Sequence, residues 1–105
     1  MEIGSKNLEF RVDDTENIVL EDGTYTAGQV VVEGATEYSF ANIDDAKRAF
    51  VLLEDVETDT DGKNAVGATG VFNANVVTLS DGDLTPELNA MLQKKGIILK
   101  TSIKG

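Results

Sequence analysis

Three consecutive segments decide the fold class: FVLLEDV (Phe50–Val56), ETDTDGKN (Glu57–Asn64) and AVGATGVFNANVVTL (Ala65–Leu79). Phe50, Val51, Leu52 and Leu53 form an apolar run too short for a helix. Such a run reads as a strand buried on both faces. The acidic, Gly-containing turn that follows separates it from a β-rich segment. There Gly67 and Gly70 are expected as bends or bulges, and Asn73-Ala74-Asn75 as a turn or edge.

The same punctuation extends upstream. Val30-Val31-Val32 reads as a second buried strand, with Tyr25 opening another before Gly28. Glu21-Asp22-Gly23 and Glu33-Gly34 read as turns. Tyr38–Phe40 is short and extended, and Asn42 is expected to cap one helical turn over Asp44–Arg48. Leu8, Phe10 and Val12 alternate with Glu9, Arg11 and Asp13, the period of a half-buried strand. Asn17–Leu20 reads as a separate short strand. Downstream, Thr85 suits an N-cap, Pro86 the first helical position, and Glu87 the positive end of the dipole. Leu88, Met91 and Leu92 share one face, Lys94 and Lys95 sit at the negative end, and Gly96 ends the helix. Ile97–Ile103 is the last strand. The expected class is α+β: a small, irregular, β-rich domain with many short strands and a short helix in its C-terminal half.

At 105 residues the chain is one domain. With no Trp, four Phe and two Tyr, its core must be mainly aliphatic, and association would supplement it. The absence of Cys and His removes disulfides, thiol nucleophiles, Cys/His zinc sites and imidazole acid–base chemistry. No metal or cofactor is expected, and no enzymatic activity. MEIGSKNLEF lacks the basic and apolar regions of a signal peptide. No apolar run approaches the roughly 20 residues of a membrane span, so no membrane partner is expected. Net charge is −10, unevenly spread: residues 1–62 hold 16 acidic and 4 basic residues, residues 63–105 hold 3 and 5. So acidic a chain is poorly suited to phosphate contacts, and nucleic acid is not an expected partner. The plain reading of this acidity is solubility; the sharper one is that the acidic half faces solvent while the C-terminal half packs on a partner.

Sites of chemistry are thinly represented. Glu57-Thr-Asp59-Thr-Asp61-Gly62 has the alternating oxygens and Gly of a calcium loop, but Ala68 stands where the bidentate Glu is needed. A solvated turn explains it better. Adjacent acids such as Asp13-Asp14 and Glu54-Asp55 point to opposite faces of a strand and make no working pair. Neither phosphate-binding glycine motif occurs. Gly23-Thr-Tyr-Thr-Ala-Gly28-Gln-Val has the cadence of a biotinyl- or lipoyl-carrier strand, although the flanks of Lys63 do not resemble a carrier lysine's.

Five segments, in order, carry a resemblance: Gly23–Val30, Phe50–Val56, Glu57–Gly62, Val66–Asn73 and Leu92–Leu99. Together they resemble the lambda-type bacteriophage head-decoration proteins, from about Gly23 to Ile103. The segment ahead of Leu8 is short, and the Pro-rich arm of some members is missing. The resemblance implies a lambda decoration-like fold with an N-terminal arm or edge strand over 1–12 and a single β-rich decoration domain over 13–105. It implies a homotrimer bound, without catalysis, to the major capsid protein on the outer surface of an expanded phage head. Such a protein is made in the bacterial host cytoplasm, stabilises the head and becomes part of the virion. Leu8, Phe10 and Val12 are the candidate capsid-binding residues, because an alternating strand can add to a partner's sheet edge. The same three residues also suit an edge strand of the chain's own sheet. The competing reading is a small β-barrel binding or carrier module in a bacterial complex.

Overall fold

The computed structural model describes residues 8–58 and 63–100. Along the chain these form β1 (Glu9–Leu20), β2 (Gly23–Tyr25), β3 (Val30–Glu33), β4 (Tyr38–Ser39), β5 (Ala49–Leu52), β6 (Val56–Thr58), β7 (Lys63–Asn73), α1 (Pro86–Lys94) and β8 (Ile97–Lys100). The domain is therefore a β-rich α+β unit, as the punctuation of the sequence predicts.

The apolar runs in β3 and β5 lack polar alternation because both faces are covered. The two strands are antiparallel, with Val30 opposite Val51, Val31 opposite Phe50 and Val32 opposite Ala49. Side chains alternate between faces along a strand, so each strand feeds two cores. Val30, Val32, Ala49 and Val51 join Leu8, Phe72, Leu92 and Ile97 in the first. Val31, Phe50 and Leu52 join Ile18, Leu20 and Tyr25 in the second.

The main sheet runs β1-β4-β3-β5-β7-β8, and β1 also pairs with β7. Five strands thus close a ring, β1-β4-β3-β5-β7-β1, sealed on one side by the single pairing of Leu20 with Tyr38. All five ring strands supply side chains to the second core, with Tyr38 from β4 and Ala65 from β7 packed against it. The first core covers the opposite face of β3 and β5 and includes Leu88 and Leu92 of α1. A separate two-stranded sheet, β2 with β6, places Val56 opposite Tyr25. The Tyr25 hydroxyl donates to the Glu21 carbonyl at 2.7 Å, and burial pushes this phenol's pKa up.

The helix follows its sequence signals. Thr85 Oγ1 accepts from the Leu88 N–H at 3.1 Å, Pro86 opens the helix, and Gly96 follows it at φ +87°. Leu88 and Leu92 are buried, and Met91 is partly buried against the same core. Lys95 Nζ donates to the carbonyls of Asp45 and Lys47, tying the helix end to the 44–48 turn. That turn is not helical. Asp44, rather than Asn42, organises it: Asp44 Oδ1 accepts from the Ala46 N–H at 2.9 Å, and its carbonyl accepts from the Lys47 N–H.

The N-terminal strand departs most from the alternation. Asn17–Leu20 is not a separate strand but the end of β1, which runs unbroken across positions 12 and 13 and pairs with β7 from Glu9 opposite Phe72 to Leu20 opposite Lys63. Register shifts between Glu9 and Arg11 and between Val12 and Asp14 insert an extra residue twice. Each bulge breaks the two-residue period. Gly70 faces this irregular stretch at φ +147°, where a Cβ would overlap the Arg11 carbonyl oxygen and crowd the Asp13 amide. Gly67 is no bend: a Cβ there would lie 2.5 Å from Phe50 Cβ, so the glycine makes room for the ring.

Candidate functional site

The first half of β1 is a ribbon held chiefly by β7. Every residue from Phe10 to Asn17 is exposed. One side of β1 is taken by β7, and among the described residues the other side has a strand partner only at Leu20. An open edge of this length presents unpaired main-chain donors and acceptors, which proteins normally blunt with charge, proline or bulges. Here Glu9, Asp13, Asp14, Glu16 and the two bulges do so.

The three candidate residues are not equivalent. Leu8 is fully buried in the first core, and its carbonyl accepts from the Asn73 N–H at 2.7 Å. It anchors the strand rather than offering a surface. Phe10 and Val12 are 48% and 36% exposed. The alternation of Leu8, Phe10 and Val12 suggests one shared face, but the shift between Glu9 and Arg11 separates Leu8 from the other two. Residues 1–7 lie outside the described residues.

Charges flank the exposed pair. Arg11 Nε donates to Asp13 Oδ1 at 2.6 Å, and Nη2 to Oδ2 at 3.2 Å. That hydrogen bonding holds the Asp13 carboxyl below its ordinary pKa and raises that of Arg11. Both side chains are exposed, so the pair orders the surface and adds little stability. Further along, Arg48 pairs with Glu16 and lies 5.1 Å from the Phe50 ring centroid, within cation–π range.

The sequence pattern missed a second open edge. β8 pairs with β7 in parallel from Ile97 opposite Gly70 to Lys100 opposite Asn73, and no other strand among the described residues pairs with it. The signal available was a short apolar strand, Ile97-Ile98-Leu99, in a stretch whose only charges are basic. From Lys94 to Gly105 there are four Lys and no acid. Two exposed valines were also missed: Val19 at 37% and Val66 at 43%.

Among the described residues no group of three or more His, Cys, Asp or Glu is placed to hold a metal, and no helix is long and apolar enough to cross a membrane. The calcium-like turn has its centre, residues 59–62, outside the described residues. No protein-family model, curated protein or solved structure matches the chain.

Proposed function

We propose that the protein decorates the outside of an expanded phage head, binding the major capsid protein as a homotrimer and stabilising the shell without catalysis. The observation that carries this reading is the exposed run of β1, where Phe10 and Val12 stand uncovered on a strand anchored by buried Leu8. The ordered segments from Gly23 to Leu99 support it through their resemblance to lambda-type decoration proteins. The absence of His and Cys supports a binding role over a catalytic one. In this reading Phe10 and Val12 supply the apolar contact to the capsid, with the segment ahead of Leu8 extending it. Exposed apolar side chains on an ordered strand cost little conformational entropy to dock.

A second reading draws on the closed five-strand ring, which suits a small barrel-like binding module. Its interior is occupied by Ile18, Leu20, Val31, Phe50 and Leu52, all buried, so any ligand would have to bind outside the ring.

The double variant Phe10→Ser/Val12→Ser tests the docking surface. Exposed positions tolerate substitution within about 0.5 kcal/mol, so the urea midpoint should stay near that of the natural sequence. Co-sedimentation with expanded capsids of the source phage should fall at least about tenfold in apparent affinity, equivalent to about 1.4 kcal/mol. Undiminished co-sedimentation would remove Phe10 and Val12 from the capsid contact.

A further inference from the structure

Over one short stretch the sheet is three strands wide, and among the described residues no further strand pairs on either side. Phe72 of β7 stands between Glu9 of β1 and Leu99 of β8. Val71 stands between Arg11 and Ile98, and Gly70 between Val12 and Ile97. The two free edges are therefore level with each other. We propose that the protein joins a second copy of itself head to tail, the outer edge of β1 in one chain pairing with the outer edge of β8 in the next. The β1–β7–β8 layer then continues from chain to chain.

The main chain is set for this contact. The Leu8 carbonyl accepts from the Asn73 N–H, so β7 takes the main chain of Leu8. Alternation turns the N–H and C=O of Glu9 outward. On the far side, the Gly96 and Lys100 carbonyls accept from the Gly70 and Ala74 N–H groups at 2.9 and 2.7 Å. The main chain of Ile97 and Leu99 consequently faces away from β7. Glu9 and Leu99, on either side of Phe72, each offer one donor and one acceptor to a neighbour.

The charges select the partner. Between Glu9 and Glu16, β1 carries four acids and one base, whereas β8 carries Lys100 and no acid. Pairing β1 with β1 sets acid against acid, and like charges across strands are destabilising. Pairing β1 with β8 sets the acidic strand beside a basic one. Unlike edges make a heterologous contact, which closes into a ring when its rotation permits. The decoration reading supplies the number of copies, and the contact rests on that reading in this respect alone. It also divides the work of β1: the main-chain edge serves the next copy, while the side chains of Phe10 and Val12 remain available on the strand's faces.

Two proline variants test the edges. Glu9→Pro and Leu99→Pro each remove one outward N–H and leave the β7 ladder its donors. Alone, each should be monomeric by analytical ultracentrifugation at concentrations where the natural chain is oligomeric, with the dissociation concentration raised at least about tenfold. Mixed, they should form a two-chain species and stop there, because each supplies the edge that the other lacks. If Leu99→Pro fails to fold by circular dichroism, the charge pair decides instead. Glu9→Lys and Lys100→Glu should each weaken association, and both in one chain should restore it. A natural chain that remains monomeric at high concentration overturns the proposal. So does an oligomer indifferent to these edges, or one lost through a single edge only. Capsid co-sedimentation keeps the two readings apart. An edge-independent oligomer that binds expanded shells sinks the edge contact alone. An edge-dependent oligomer that ignores shells sinks decoration alone.

Discussion

Phe72→Ala should lower the unfolding free energy by about 3–5 kcal/mol, the range for deleting a buried aromatic side chain. Phe72 is fully buried, sits on the central strand β7 between β1 and β8, and packs in the same core as Leu8, Leu92 and Ile97. The core has no Trp and few aromatic rings to close over the resulting cavity. A domain of this size has about 5–15 kcal/mol of stability in total, so a large share of it would go. Urea unfolding followed by circular dichroism measures the change. A loss below about 1 kcal/mol, the scale of an average substitution, would mean that Phe72 is not enclosed as described.

Gly70→Ala should cost about 2–6 kcal/mol. Two causes act together: a side chain at φ +147°, a conformation costing about 1–3 kcal/mol, and overlap of the new Cβ with the Arg11 carbonyl oxygen and the Asp13 amide, overpacking of similar size. The collision is with backbone, so relief requires β1 to move. Hydrogen exchange should therefore accelerate more in Glu9–Val12 than in β3 or β5. Unchanged stability, or loss of protection spread evenly over the domain, would contradict the close approach of β1 to Gly70.

The glycines show where the sequence was legible and where it was not. Gly96 lay at the end of a strongly signalled helix, and both cap and helix are found where Thr85, Pro86 and Lys94 predict them. Local signals sufficed because capping involves residues within one turn. Gly67 and Gly70 stand out in the sequence as interruptions of a strand, but the reasons for them lie in other strands: the Phe50 ring over one, the bulged β1 backbone over the other. The runs Val30–Val32 and Phe50–Leu53 are legible as doubly buried, although the strand ends at Leu52 and Leu53 is only partly buried. That their alternate faces feed two separate cores, one bounded by a ring of strands, depends on pairings between distant residues.

The candidate site was legible only in part. Leu8, Phe10 and Val12 look alike as an alternating trio, yet the register shift between Glu9 and Arg11 parts buried Leu8 from exposed Phe10 and Val12. Bulges arise from pairing with β7 and leave no periodic trace in β1 itself. One consequence is practical. Deleting residues 1–12 would remove Leu8 from the first core and strip the pairings of Glu9, Arg11 and Val12 with β7. A clean separation of docking from folding therefore requires substitutions at Phe10 and Val12.

The decoration that we propose would stabilise the shell by mass action. A protein that binds only the expanded shell stabilises it by an amount that grows with free concentration beyond its dissociation constant. Equal affinity for both shell states would shift nothing. The direct measurement adds purified protein to undecorated expanded and unexpanded capsids of the source phage and records bound protein together with the rupture temperature. The account predicts saturable binding to the expanded shell alone, with a rupture temperature that rises with occupancy. Equal binding to both shells, or saturation of the expanded shell at an unchanged rupture temperature, would contradict it.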